Sequence, residues 1–117
     1  MKRHTVTFEA FDVVVVPFPF TDRTTTKRRP ALVLSDANSF NKKVGQSVLA
    51  MITSASNSDW PLDVNIQDLD TAGLPSPSVV RMKLFTLDDK LVIRKAGALV
   101  RQDRSAVSTA LHQLLNM

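Results

Sequence analysis

Short apolar runs separated by polar turns make up most of the first 94 residues of the chain. Runs of this length, several of them alternating between apolar and polar positions, are typical of a mainly β domain. The polar segments 21–28, 36–41 and 73–77 are predicted to be loops or turns. We predict strands over residues 12–20, 29–35, 46–53, 62–66, 78–81, 83–86 and 91–94.

The first predicted strand contains four consecutive valines at positions 13–16, followed by two prolines. β-Branched side chains favour an extended backbone, and an unbroken apolar run is typical of a strand buried on both faces. Pro17 and Pro19 are two positions apart, so the N–H groups that they lack would face the same side. We therefore expect this strand to leave its sheet, or to lie at its margin, near Pro17.

The end of the chain changes from strand to helix periodicity. Asp103 can cap a helix, and the apolar face of that helix would comprise Val107, Ala110, Leu111, Leu114 and Leu115. A chain of 117 residues is the size of one domain with one core, here residues 1–117. The predicted fold class is mainly β (α+β): a small, twisted, partly closed barrel with a C-terminal helix packed on it.

The cysteine content, the N-terminus and the length of the apolar runs indicate the compartment in which the protein works. The chain has no cysteine, which excludes a disulfide framework and thiolate metal sites and favours a reducing compartment. Its basic N-terminus is not followed by the apolar region of a signal peptide. The longest apolar run, residues 13–20, is interrupted by two prolines and is too short to cross a bilayer. We expect a cytoplasmic protein without membrane contacts.

The formal net charge of +4 is unevenly distributed along the chain. Residues 1–43 carry +4, residues 44–80 carry −4 without any lysine or arginine, and residues 81–117 carry +4. If the two basic segments meet in the fold, they form one positive face that would suit a polyanion. The alternative is a solvated basic surface without a partner, and charge alone does not separate the two.

Several kinds of functional site are absent from the sequence. The three glycines are far apart, at positions 45, 73 and 97, so there is no Gly-rich phosphate loop. No His, Asp or Glu spacing is typical of metal ligands, and His4 and His112 lie away from any predicted cluster. We therefore predict neither a metal ion nor a cofactor.

An arginine-rich segment is the remaining candidate for chemistry: Arg23, and then Lys27, Arg28 and Arg29 before Pro30. An arginine at the start of a buried strand is a good phosphate ligand, because its planar guanidinium can hold two phosphate oxygens. The alternative is a basic loop that only keeps the start of the strand soluble. The residues of this segment alone leave both readings open.

Residues 28–35, Arg28-Arg29-Pro30-Ala31-Leu32-Val33-Leu34-Ser35, resemble the signature of the MazF/PemK toxin family. As in that family, the segment follows an apolar strand that an aspartate leads, here Asp12. The resemblance covers roughly residues 10–115. It continues in order through Ile52-Thr53-Ser54, Gly73-Leu74-Pro75, Ser78-Val79-Val80, Thr86-Leu87-Asp88 and a basic segment around Gly97.

The resemblance implies both a fold and an activity. Members have an SH3-like barrel, usually form a symmetric dimer, and are toxins restrained by a partly disordered, acidic antitoxin. They cleave single-stranded RNA at short motifs by letting the ribose 2′-OH attack the neighbouring phosphate. The products are a 2′,3′-cyclic phosphate and a 5′-OH end. No metal is needed, because the substrate itself supplies the nucleophile.

The resemblance also implies catalytic residues. Arg29 matches the arginine before proline, to which phosphate stabilisation or proton transfer is assigned, and Thr53 matches a threonine that hydrogen-bonds the scissile phosphate. Ser54 is the neighbour of that threonine and a further candidate. Arg81 falls where some PemK-like members place a second catalytic arginine. Asp22, in the predicted loop, is a candidate base from its position alone.

Two positions depart from the family pattern. Phe11 precedes Asp12 where the family commonly has glycine, a change that we expect to affect only the entry turn. Lys83 stands two positions after Arg81, where such members have a catalytic aspartate. Either Arg29 and Thr53 suffice, which is the reading we favour, or a neutral Lys83 is the base, or activity is weak. We expect Lys83 to hold phosphate. The candidate RNA-binding residues are Arg23, Lys27, Arg28 and Lys83.

Two other functions compete with RNA cleavage. Gyrase-poisoning toxins share this barrel but depend on an aromatic residue near the C-terminus, whereas this chain ends Leu114-Leu115-Asn116-Met117 and its single tryptophan is Trp60. The other alternative is an RNA-binding barrel that does not cleave, which Lys83 in place of a carboxylate would favour. The expected partners are therefore single-stranded RNA, a cognate antitoxin and a second copy of the chain.

Overall fold

The computed structural model describes residues 6–18, 27–57 and 59–117, and these form one curled antiparallel sheet and a C-terminal helix. The predicted mainly β architecture is confirmed. The strands of this part of the chain are β1 Asp12–Phe18, β2 Lys27–Val33, β3 Gln46–Ser54, β4 Val64–Asn65, β5 Ser78–Asp88 and β6 Arg94–Ala98. The helices are α1 Lys42–Val44, α2 Leu69–Ala72 and α3 Arg101–Leu115. The strand order is β4-β5-β3-β2-β1-β6.

Several boundaries differ from the prediction. The predicted strands 78–81 and 83–86 are parts of β5, which runs unbroken between them. The predicted strand 91–94 is displaced: β6 begins only at Arg94, and Leu91 belongs to a short turn of helix, residues 89–91, where the Asp88 carboxylate accepts a hydrogen bond of 2.9 Å from the Lys90 N–H. The predicted turn 36–41 contains a helical turn, capped by a hydrogen bond of 2.8 Å from the Ser39 N–H to the Asp36 carboxylate.

The sheet is bent by two irregularities in its pairing. One lies between Val13 and Val14, where β1 pairs with β6, and the other lies where β5 faces Ala50 and Met51 of β3. Pairing of β1 with β6 ends at Val15, so Pro17 lies where β1 has become the margin of the sheet, as predicted. Pro19 lies outside the described residues.

Each face of the sheet carries its own apolar cluster, and the valines of β1 serve both, as predicted. We call the two sides the helix-covered face, which packs against α2 and α3, and the open face. The cluster of the helix-covered face comprises Val13, Leu32, Ala50, Ile52, Val64, Ile66, Ala72, Leu74, Val80, Met82, Leu99, Val107 and Ala110. The cluster of the open face comprises Phe8, Val14, Val16, Ala31, Val33, Leu49 and Leu87.

A buried carboxylate of the C-terminal helix holds the segment that joins β4 to α2. Asp103 is 1% exposed and lies in the first turn of α3, so the prediction that it caps the helix is wrong. Its two oxygens instead accept hydrogen bonds of 3.0 Å from the N–H groups of Gln67 and Asp68. Leu114 and Leu115, predicted on the buried side of the helix, are 40% and 54% exposed. No helix in the described part of the chain combines the length and apolar content needed to span a bilayer.

Replacement of Asp103 by alanine is expected to destabilise the fold. Two backbone N–H groups would lose their acceptor, and each loss costs about 1–3 kcal/mol, so the free energy of unfolding should fall by about 2–6 kcal/mol. Urea unfolding followed by circular dichroism measures this change. Gln102→Ala, at an exposed position of the same helical turn, is the control. Equal stability of the two variants would contradict an anchoring role for Asp103.

Phe11 occupies the entry turn of β1 with a φ of 72°, in the left-handed region that favours glycine. This explains why glycine suits the position in the family pattern. The turn is held by hydrogen bonds from the Phe11 N–H to the Val33 oxygen, at 2.6 Å, and from the Leu99 N–H to the Phe11 oxygen, at 3.0 Å. The departure from the pattern therefore lies in a tightly bonded turn that accommodates a phenylalanine.

Candidate nucleic-acid interface

The open face of the sheet brings together residues from three strands. In the β3–β5 pair, Met51 lies opposite Arg81 and Thr53 lies opposite Val79. Residues opposite each other, or two positions apart in one strand, point to the same face. The β2–β3 pair places Ala31 opposite Met51, so Arg29 lies on this face too. Ala31 belongs to the cluster of the open face, which identifies the face that carries these polar residues.

The register also sets how close these residues are. The β2–β3 pairing ends at Ala31–Met51, and Arg29 and Thr53 each stand two residues beyond it. Cβ atoms directly across a strand pair are about 5 Å apart and diagonal neighbours about 7–8 Å apart. Thr53 thus shares the open face with Arg29, which lies beyond the end of the β2–β3 pairing, and with Arg81 on the neighbouring strand β5. Since an arginine side chain is long enough to cross these gaps, one phosphate could contact all three.

Two of these residues have contacts that hold them in place. The guanidinium carbon of Arg29 lies 5.8 Å from the ring centre of Phe18, a cation–π contact on the open face. The Thr53 hydroxyl accepts a hydrogen bond of 2.5 Å from the Asn57 side-chain amide. Its own hydrogen therefore points away from that amide and can be donated to a phosphate oxygen. Arg29 and Thr53 are each half-buried, so both remain accessible from solvent.

Arg81 is paired with a carboxylate that the sequence did not single out. Its Nε and Nη2 atoms donate hydrogen bonds of 3.2 and 2.9 Å to the two oxygens of Asp63. The two side chains are 11% and 18% exposed. The hydrogen bond from Arg81 to Asp63 raises the pKa of Arg81 above its ordinary value, against the effect of burial. Asp63 thus supplies the carboxylate that is absent at Lys83.

The position of Asp63 follows from strand pairing. Val64 of β4 lies opposite Val80 of β5, so Asp63, which precedes β4, falls across from Arg81, which follows Val80. The alternating segment 62–66 predicted a half-buried strand; the strand observed is shorter, Val64–Asn65, and the pattern does not tell which strand it pairs with. The pairing of β4 with β5 is what identifies Asp63 as a site residue, and this pairing is visible only in the tertiary structure.

Lys83 contacts an aromatic ring on the same side of the molecule. Its ammonium nitrogen lies 4.5 Å from the ring centre of Trp60, and the guanidinium carbon of Arg81 lies 5.7 Å from it. Trp60 is 41% exposed. Lys83 is therefore placed beside the candidate catalytic residues, at the edge of the sheet formed by β4 and β5.

Arg28 and Ser54 are separated from Arg29 and Thr53 by the alternation of the strands. Arg28 lies opposite Pro17 on the helix-covered face. It lines a groove of about 230 Å³ with Arg94, and Arg29 reaches the margin of the same groove. The other wall of the groove is Gly73-Leu74-Pro75, where Gly73 has a φ of 74° and a Cβ atom would lie 2.2 Å from the Ala96 oxygen. The Ser54 hydroxyl is engaged with Ser56.

The remaining candidates have simpler positions. Lys27 is exposed on the open face, two residues before Arg29. Asp22 and Arg23 lie outside the described residues. His112 is exposed on α3. Within the ranges that the structure describes, no group of three His, Cys, Asp or Glu side chains lies close enough together to hold a metal ion.

Residues 9–115 match the family described as PemK-like, MazF-like toxin of type II toxin–antitoxin system. The chain belongs to this family. The resemblance seen in the sequence is thereby confirmed, and this protein is a toxin of the MazF/PemK type. A search of curated proteins finds no match.

Solved structures of MazF toxins share the fold. A MazE–MazF complex from Deinococcus radiodurans is 25% identical, with a TM-score of 0.76 over 96% of this chain and 99% of that chain. The Mycobacterium tuberculosis toxin MazF-mt6 is 20% identical, with a TM-score of 0.71 over 91% and 97%. An endoribonuclease in complex with its cognate antitoxin, from a mycobacterial species, is 16% identical, with a TM-score of 0.73 over 95% of each chain. The predicted MazF-type fold is confirmed.

Proposed function

We propose that this MazF/PemK-type toxin is a metal-independent endoribonuclease that cleaves single-stranded RNA at short motifs. The ribose 2′-OH attacks the adjacent phosphorus, the bond to the 5′ oxygen of the next nucleotide breaks, and a 2′,3′-cyclic phosphate and a 5′-OH end remain. The observation that carries the proposal is that Arg29, Thr53 and Arg81 lie on the same open face of the sheet, on three neighbouring strands. Membership of the family supports the same reaction.

The three residues suit the charge that develops in this reaction. The phosphate gains negative charge as the 2′ oxygen attacks, and donors placed in advance at that point lower the barrier. Arg29 and Arg81 supply two guanidinium groups, and Thr53 supplies a hydroxyl donor between them. Arg29 binds the phosphate oxygens, and its permanent positive charge stabilises the negative charge that develops on the departing 5′ oxygen.

Arg81 and Asp63 act together in this proposal. The carboxylate fixes the guanidinium through its Nε and Nη2 atoms, and so fixes the place of its positive charge beside Thr53. Asp63 is therefore a positioning residue. We assign Lys83 to RNA binding. Its cation–π contact with Trp60 places a positive charge beside the candidate catalytic residues, where it suits a phosphate of the RNA. The Arg81–Asp63 pair would take the place of the arginine–aspartate pair found in some relatives. Lysine at position 83 is then no reason to prefer a barrel that binds RNA without cleaving it.

The partners follow from the same proposal. Two of the similar structures contain a MazF toxin or an endoribonuclease bound to its antitoxin. We infer that an acidic antitoxin restrains this toxin by covering the basic open face. We also infer a homodimer, because a barrel of this size has a limited core and its relatives' symmetric interface would enlarge it.

Incubation of the purified, antitoxin-free protein with a long single-stranded RNA in excess EDTA tests the reaction. We expect cleavage at a short recurring motif, and mapping of the 5′ ends should find 5′-OH groups. The mapped ends also reveal the motif. If a folded protein leaves the RNA intact but retains it in a binding assay, the function is passive RNA binding instead.

A further inference from the structure

Trp60 is a large exposed aromatic residue beside the candidate site. Its ring belongs to neither apolar cluster, and 41% of the residue is exposed. Two cations from β5 lie against it, Lys83 at 4.5 Å and Arg81 at 5.7 Å from the ring centre. An exposed tryptophan that adds nothing to either core, next to residues suited to phosphate, is typical of a surface that binds single-stranded nucleic acid.

The turn that carries Trp60 is held in place. Its carbonyl oxygen accepts a hydrogen bond of 3.2 Å from the Asp63 N–H, and Leu62 between them has a φ of 66°. The Asp63 carboxylate is in turn bonded to Arg81. The backbone of the turn and the ring on it are thus tied to the same arginine that we assign to the phosphate. Little ordering of the protein would be needed when a base binds there.

Lys83 also has an unusual position in its strand. Met51 pairs with Arg81, but the preceding residue, Ala50, pairs with Leu84, so Met82 and Lys83 of β5 have no direct partner in β3. A bulge of this kind redirects a side chain and is common next to functional sites. Here it accompanies a lysine that lies over the Trp60 ring.

We propose that Trp60 and Lys83 form a nucleobase subsite in which a base of single-stranded RNA that flanks the cleaved linkage stacks on the Trp60 ring. Lys83 binds the phosphate that joins this nucleotide to its neighbour. The proposal rests on the proposed function, because the RNA is its substrate. Stacking accepts any base, so the subsite contributes affinity more than it selects sequence.

The protein has one tryptophan and no tyrosine, so its emission on excitation at long wavelength comes from Trp60 alone. The probe is a mixed-sequence single-stranded oligonucleotide with 2′-deoxyribose throughout, which lacks the nucleophile and stays intact. We expect Trp60 emission to be quenched, with saturation at the concentration at which the anisotropy of a labelled copy also saturates. If the anisotropy saturates while the emission stays unchanged, the oligonucleotide binds without contacting Trp60. That result would overturn the proposed subsite, and the exposed ring would then be assigned to a contact with a protein.

The two failures can be told apart. If neither emission nor anisotropy responds to the oligonucleotide and RNA in EDTA stays intact, the proposed function fails and the subsite falls with it. If RNA is cleaved and bound while emission stays constant, only the subsite fails.

Kinetics of RNA cleavage provide a second test. Trp60→Ala should raise KM about tenfold or more, with kcat largely retained, because stacking acts on bound substrate and transition state alike. Trp60→Phe should recover most of the loss, since a ring is restored. The matched control is Phe40→Ala, which removes another aromatic residue of similar exposure, 36%, from the helical turn Ala37–Asn41.

A purely structural role for Trp60 predicts a different outcome. It would lower the unfolding midpoint in both Trp60→Ala and Trp60→Phe without a specific rise in KM. A KM for Trp60→Ala equal to that of the wild type and of Phe40→Ala would overturn the proposal.

Discussion

Replacement of Arg29 by alanine is expected to lower the rate of RNA cleavage by about a hundredfold to a thousandfold, the usual loss when one donor to a developing anion is removed. Arg29 shares the open face with Thr53, and its guanidinium is a permanent cation that can hold two phosphate oxygens at once. Single-turnover cleavage of an end-labelled RNA in EDTA measures the loss. In a host, expression of the variant should no longer arrest growth.

The best control for this prediction is the neighbouring arginine. Arg28→Ala removes the same charge one position earlier in β2, but its side chain points to the helix-covered face and lines the groove with Arg94. We expect it to lose at most a few-fold in rate, as a general electrostatic effect. If both variants lose activity equally, the rate depends on net charge and the assignment of Arg29 is wrong. Matching unfolding curves would exclude a folding defect.

Substitutions in the Arg81–Asp63 pair are expected to cause the second large loss of RNA cleavage rate. We expect Arg81→Ala to lower the cleavage rate about a hundredfold, since it removes one of two guanidinium groups at the phosphate. Asp63→Asn should lower it about ten- to a hundredfold, because the guanidinium loses its two-point contact and its orientation. Asp59→Asn removes the same charge from the same loop but leaves that contact intact, and should have little effect.

A double mutant separates positioning by Asp63 from an independent role. If Asp63 acts only through Arg81, the variant Asp63→Asn/Arg81→Ala should be no slower than Arg81→Ala alone. A further large loss in the double mutant would show that Asp63 contributes to the reaction in its own right, for example as the base. Retention of full rate in Asp63→Asn would instead remove the pair from the mechanism.

Much of the fold could be predicted because it depends on local patterns. The valines of β1 and the alternation around Leu62 to Ile66 indicated strands, and the change of period after Gly97 indicated the final helix. Boundaries were less predictable. β2 was expected from Arg29 and begins at Lys27, and the last strand was expected from Leu91 and begins at Arg94. Those outcomes depend on hydrogen bonds to particular side chains and on neighbouring strands.

The sequence by itself determined the family and the mainly β architecture, and it singled out Arg29, Thr53 and Arg81 as candidates, because short motifs and periodicity are properties of neighbouring residues. Only the tertiary structure decided which of these residues share a face. It separated Arg28 from Arg29 through the alternation of β2. It also brought Asp63 and Trp60 to Arg81 and Lys83 from about twenty positions away, because antiparallel pairing joins residues far apart in the chain and no local pattern specifies the register.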